Sequence, residues 1–209
     1  EKFGINTIFD GTNFDDEFLQ EAINNALFKS DPERNYFDGN SGIRILKLLT
    51  TIQNEKNIEL RLATIKDLDI TFKWATNYKI RKFSFTKHLI TAEEHANWFF
   101  GKIRNPSCIY FIGETENKPI GSIRFDLNED EWIISYLVDP SHHGKGFGVI
   151  LLKKGIEMLL KEKRLNKKVI NKITGIVIKS NIASIKAFER LGFEKVEFEG
   201  NYKFVKQLY

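Results

Sequence analysis

The chain has 209 residues, 42% of them hydrophobic and 29% charged, and a net charge of +4. These values suit a globular chain of one domain or one and a fraction, and they exclude a disordered or fibrous protein. The charge is too small to imply a nucleic-acid partner, though it suits an anionic ligand.

No apolar run is long enough for a membrane span and no signal-peptide pattern appears, so the reading is cytoplasmic. The single cysteine, Cys108, rules out an internal disulfide framework and fits a reducing compartment. It sits in the apolar run Cys108 to Ile112 and reads as a buried structural thiol. Beginning at Glu1 rather than Met, the chain reads as a processed product or a piece of something longer.

Residues 1–57 read as a mostly helical extension. A short strand is expected over Gly4 to Phe9, and Thr12-Asn13 caps a helix through Lys29. That helix carries Phe18, Leu19, Ala22, Ile23, Ala26 and Leu27 on one face. A turn at Asp38 to Gly42 precedes an apolar helix over Ile43 to Ile52, and Gln53 to Asn57 is a polar linker.

From Ile58 the pattern becomes α/β. Ile58 to Ala63 is a strand, and Thr64-x-x-Asp67 opens a helix to about Thr76. Thr91-x-x-Glu94 is a second capping box, opening a helix with His95, Trp98, Phe99 and Phe100. Strands follow at Ser107 to Glu114, Pro119 to Asp126 and Glu131 to Val138. Asp139-Pro140 breaks the last of these before His143-Gly144-Lys145-Gly146-Phe147-Gly148, and a helix then runs to Lys163. The basic run from Lys161 to Lys168 reads as a solvated helix end. Thr174 to Ile178 is a strand and Ile182 to Leu191 a helix. Phe193 to Phe198 and Tyr202 to Val205 close the sheet.

Glycines at 144, 146 and 148 let the backbone gather several N–H groups at a helix N-terminus, an arrangement suited to phosphates. A second stretch runs Asn181-Ile182-Ala183-Ser184-Ile185-Lys186-Ala187-Phe188-Glu189-Arg190-Leu191-Gly192-Phe193. Together the two resemble the GNAT superfamily of acyl-CoA-dependent N-acyltransferases over roughly residues 58–208. That family carries an Arg/Gln-x-x-Gly-x-Gly/Ala loop after a strand, and a later Asn-initiated helix ending in Leu-Gly-Phe. The resemblance implies a mixed central sheet flanked by helices. It also implies acetyl-CoA as acetyl donor, held at Leu137, Val138, His143, Gly144, Lys145, Gly146, Phe147, Gly148 and Asn181.

Two departures stand out. His143 takes the place of the usual Arg or Gln, and Phe188 that of a tyrosine that protonates the departing sulfur. Tyr136, Ser184 and a bound water are the remaining candidates for that proton. Ile133 holds the place of a common glutamate.

The spacing Trp74-x-x-Asn77-x-x-x-Arg81-x-x-Ser84, followed by Thr91-x-x-Glu94-His95-x-x-Trp98, is similar to acetyltransferases acting on nucleotide-linked amino sugars. These include the enzyme of pseudaminic acid synthesis. This likeness implies a UDP-linked amino deoxysugar as acceptor, met by Asn77, Arg81, Ser84 and His95. His95 is then a candidate base as well as a substrate contact. The Asp38-Gly39-x-x-Gly42 segment resembles the C-terminal end of that pathway's UDP-sugar hydrolase, which divides the chain into 1–57 and 58–209 and raises a fusion or association with such a hydrolase. A helical extension covering the transferase is the other reading of 1–57. His and carboxylate spacings form no metal-ligand set. A protein N-terminal acetyltransferase and a non-catalytic acyl-CoA-binding module are the alternative functions.

Overall fold

The computed structural model describes residues 57–162 and 171–208. They belong to one compact unit bounded by Gln53 and Tyr209. The strand, helices and turn expected before Asn57, the hydrolase-like segment among them, lie outside the described residues. So does most of the basic run after Lys161.

Seven strands form one mixed sheet: β1 Ile58–Leu62, β2 Cys108–Thr115, β3 Lys118–Asn128, β4 Glu131–Val138, β5 Lys172–Val177, β6 Glu194–Phe198 and β7 Asn201–Gln207. Their order is β1-β2-β3-β4-β5-β7-β6, and every neighbouring pair is antiparallel except β4 with β5. The β2–β3 turn holds Glu116 and Asn117 at positive φ, as a tight hairpin turn requires. The parallel pair needs a crossover, supplied by α4 Phe147–Lys161.

Alternation along the strands makes two faces. Ile109, Phe111, Ile123, Phe125, Trp132 and Ile134 point to the side covered by α4 and by α5 Ile182–Arg190. There they pack with Leu152, Leu159, Ile185, Ala187 and Phe188. Cys108 and Tyr110 point the other way, to Phe99 on α3 Ala92–Arg104. Cys108 is buried as expected, and burial pushes its thiol up to about 12.

The first helix differs from expectation at its start. Ile65–Asp67 is a single 3-10 turn, and α1 proper is Leu68–Thr76. The cause is Asp67, whose carboxylate accepts from the Thr64 backbone at 2.7 Å while gripping Arg61 of β1 with both oxygens at 2.7 Å. At Thr91 the expected capping box forms in full, with Thr91 N–H donating to Glu94 Oε2 at 2.7 Å and Glu94 N–H donating to Thr91 Oγ1 at 3.1 Å. Between α1 and α3 lies a one-turn helix, α2 Tyr78–Arg81, followed by an irregular segment to Ile90.

Candidate active site

The site begins where two neighbouring strands part. β4 and β5 pair only from Glu131–Lys172 to Ile134–Gly175. Beyond that register both continue, β4 held by β3 as far as Val138 and β5 held by β7 as far as Val177. Each keeps one hydrogen-bonded flank and turns its other backbone edge toward a gap. A cleft of about 640 Å³ fills that gap, lined on one side by Ile134 to Val138 and on the other by Ile176 to Ile178. An extended chain laid there meets backbone donors and acceptors on both sides.

The loop after β4 closes one end. Gly144 and Gly146 sit at φ of 78° and 81°, a left-handed conformation that glycine adopts without cost. Gly146 is the N-cap of α4 and supplies no side-chain cap; Val149 N–H turns back to Gly146 O at 3.2 Å, and the helix leaves the amides of Phe147 and Gly148 unused. Gly144, Gly146, Phe147 and Gly148 all line it. The positive end of a 15-residue helix favours an anion there.

The loop is braced by polar side chains. His143 Nε2 lies 2.9 Å from Val138 O; a carbonyl only accepts, so Nε2 carries the proton. The ring that replaces Arg or Gln therefore ties the loop to the end of β4. Asp139 accepts from Ser141 N–H at 2.8 Å and from Trp74 Nε1 at 2.6 Å, and Ser141 Oγ lies 3.0 Å from His142 Nδ1. Burial alone would raise the Asp139 carboxyl, but these donors hold it below the usual carboxylate range.

The wall formed by α5 carries the hydroxyls. Asn181 caps the helix by accepting from Ser184 N–H at 3.2 Å. Tyr136 O–H donates to Ser184 Oγ at 3.0 Å, which leaves the Ser184 proton for the cleft. Burial pushes the Tyr136 phenol up to about 12, so it stays protonated at every working pH. Phe188, one turn after Ser184 on the same helix face, is a core ring. It stacks on Phe204 at 5.0 Å and meets Phe193 edge-on at 5.0 Å. A Cβ on Gly175 would come within 2.5 Å of the Phe188 ring, so the glycine makes room for it. Ser184, not position 188, presents the hydroxyl.

The remaining wall is the segment after α1. Lys79, Ile80, Phe83, Ser84, Phe85 and Thr86 line the cleft opposite the loop.

Of the expected site residues, Leu137, Val138, His143, Gly144, Gly146, Phe147, Gly148, Asn181, Tyr136, Ser184 and Ser84 line this cleft. Lys145 is exposed and is not in the lining. Three expected acceptor-side residues, Asn77, Arg81 and His95, are not in the lining. Asn77 is the N-cap of α2, accepting from Lys79 N–H at 2.9 Å. Arg81 donates to the carbonyls of Thr86 and His88 and is not in the lining.

His95 is 3% exposed, behind α1, with its ring against Phe72, Trp98 and Phe99. Thr71 Oγ1 lies 2.8 and 2.9 Å from the carbonyls of Asp67 and Leu68 and 3.0 Å from His95 Nε2, so a ring protonated at Nε2 satisfies all four groups. Burial lowers the imidazole's affinity for a second proton. The ring thus lies buried beside Thr71 and outside the cleft lining.

Comparison with known proteins agrees with this architecture. The Acetyltransferase (GNAT) family matches residues 74–193, more than half of the sequence, and the chain belongs to that family. Over 170 residues it is 29% identical to an uncharacterized protein of Methanocaldococcus jannaschii. That match covers 76% of this chain and 34% of the relative, so the chain spans about a third of the relative's length. Among solved structures, a domain from M. jannaschii is 28% identical with a TM-score of 0.60, covering 72% of this chain and 98% of that domain. The aminoglycoside acetyltransferase AAC(6')-Ib, solved with coenzyme A, is 20% identical with a TM-score of 0.59, over 72% and 94% of the two chains. The ribosomal L7/L12 alpha-N-protein acetyltransferase RimL, also with coenzyme A, is 16% identical with a TM-score of 0.60, over 73% and 94%.

Proposed function

We propose that the protein transfers acetyl from acetyl-CoA to the amine of a UDP-linked amino deoxysugar of the kind used in nonulosonic acid synthesis. The observation that carries the transfer chemistry is the coincidence of an opened β4–β5 edge with a glycine-rich helix start in one cleft. The loop amides and the α4 N-terminus hold the donor's diphosphate, and the strand edges hold its extended amide-bearing arm.

In this reading the amine nitrogen attacks the thioester carbonyl carbon, the C–S bond breaks, and the amine's surplus proton leaves to solvent. Backbone N–H groups near Leu137 and Val138 meet the carbonyl oxygen as negative charge gathers there. Ser184 O–H, oriented by Tyr136, hydrogen-bonds the departing thiolate. With its phenol raised to about 12, Tyr136 is too weak an acid to give its proton away outright. The pair stabilises the thiolate, and solvent protonates it on release. Holding the two reactants in register supplies a large share of the rate without a charged base.

The acceptor class is supported by the charge of the wall. Among the described residues lining the cleft, Lys79 is cationic and none is Asp or Glu. A polycationic amine would need carboxylates there; an amine on an anionic carrier would not. The resemblance around Trp74, Asn77 and Ser84 points the same way. The apolar lip at Phe85 and Leu89 gives a protein N-terminus as the second reading. A panel of UDP-amino sugars, aminoglycosides, polyamines and N-terminal peptides, followed by free-thiol release, tests the choice. Preference for a polyamine or aminoglycoside would overturn the anionic-carrier reading, and preference for a peptide would install the second.

A further inference from the structure

We propose that Arg81 is a positioning residue that shapes the acceptor wall without touching the acceptor. The argument rests on the cleft being the acyl-transfer site, as read above. The segment from Lys82 to Ile90 has no regular secondary structure, yet its first half supplies Phe83, Ser84, Phe85 and Thr86 to the cleft.

Phe83 is half-buried, but burial does not hold the segment from Phe85 to Leu89. Phe85 is 58% exposed and Leu89 92% exposed, so little apolar area anchors the loop. Its beginning is secured by backbone turns, Phe83 N–H donating to Ile80 O at 3.0 Å and Ser84 N–H to Arg81 O at 2.9 Å. Past Ser84 the hold is ionic. Arg81 Nη2 donates to Thr86 O at 2.7 Å and to His88 O at 2.6 Å, and Lys87 Nζ donates to Lys82 O at 3.0 Å. One guanidinium nitrogen thus clasps two carbonyls two residues apart and folds the chain back over α2. Charge-assisted bonds of this length are the strong kind, and the planar fork loses little freedom in making them.

The consequence concerns selectivity. With the clasp closed, Phe83, Ser84, Phe85 and Thr86 are held in the lining of the cleft that Ser135 and Leu137 share. With it open, the polar ties left to the lip among the described residues are Lys87 Nζ on Lys82 O and the approach of His88 to Glu94 at 4.0 Å, and an acceptor must order it on binding.

Two measurements on the full chain decide the matter. Hydrogen–deuterium exchange on Arg81→Ala is expected to rise at least tenfold over residues 82–90 and to stay unchanged at 143–148. Equal exchange over 82–90 would overturn the clasp whatever the substrate. Kinetics on wild type, Arg81→Ala and Arg81→Lys compare a UDP-amino sugar with the same amino sugar lacking the nucleotide. The Ala variant is expected to raise acceptor KM about tenfold for both acceptors, with kcat and acetyl-CoA KM nearly unchanged, and the Lys variant to recover part of the loss. A loss confined to the diphosphate-bearing acceptor would mean that Arg81 contacts substrate directly, and would overturn the proposal. If wild type turns over neither, the nucleotide-sugar reading fails, while the exchange result still judges Arg81.

Discussion

Trp74 Nε1 donates to Asp139 Oδ2 at 2.6 Å, joining the helix before the acceptor lip to the turn that launches the glycine loop. The indole is 1% exposed, and Asp139 also takes the backbone and hydroxyl of Ser141. One buried donor therefore sets the distance between the two walls of the cleft. Trp74→Phe keeps most of the ring volume and removes this bond. A hydrogen bond to a charged group contributes about 1.5–3 kcal/mol, less here because Asp139 keeps Ser141. We expect a loss of about 1–2 kcal/mol in denaturant unfolding and a severalfold rise in acetyl-CoA KM. An unchanged KM would mean the link serves the fold alone.

Ser184→Ala removes the hydroxyl proposed to meet the departing sulfur. Loss of one preorganised donor of this type costs on the order of 10²-fold in kcat, with little effect on acetyl-CoA KM. Tyr136→Phe, which acts through Ser184, is expected to cost less, about tenfold. Because Tyr136 keeps its proton up to about 12, the ratio of wild-type to variant kcat should be flat from pH 6 to 9. A ratio that changes across that range would point to a titrating acid elsewhere.

His95 contributes to stability, and the sign is fixed by its burial. Its folded-state affinity for a proton lies below the ordinary value of 6.5 because burial disfavours the imidazolium. As pH falls through about 6.5 the unfolded chain takes up a proton that the folded chain refuses, so stability is full above that value and declines below it. His95→Gln retains a donor for Thr71 and should flatten the decline between pH 7 and pH 5. Acetyl transfer by that variant, assayed at pH 8, should stay near wild type. A large loss of kcat that recovers at high pH would restore His95 as a base.

What was legible in the sequence was whatever depends on local chemistry or strict alternation. The Thr91–Glu94 box, the strands flanking Asp130 and the glycine loop all stand where residue type requires them. The wall after α1 was harder to read. Arg81 and Asn77 are polar and surface-poised, which fits a substrate contact as well as a clasp or a cap; only the fold-back of Thr86 and His88 decides. His95 carried the same ambiguity. It belongs to the α3 stripe with Phe99, and whether that stripe faced a cleft or a core depended on where α1 lay. The opening between β4 and β5 leaves no mark in the residues, since it consists of backbone edges. Phe188 was visible as a missing hydroxyl and Tyr136 and Ser184 as candidates for it, but that these two hydroxyls meet at 3.0 Å is set by the fold.

The most direct test of the account is a calorimetric titration of acetyl-CoA into wild type and Gly146→Asp, with unfolding of both followed in parallel. Gly146 holds φ of 81° at the N-cap of α4, so aspartate brings backbone strain, costing about 1 kcal/mol, together with a carboxylate at the anion site. We predict a folded variant whose acetyl-CoA affinity is reduced at least tenfold, about 1.4 kcal/mol or more. Equal affinity in the two proteins would contradict the assignment of the loop, and with it the cleft as the site of acetyl transfer.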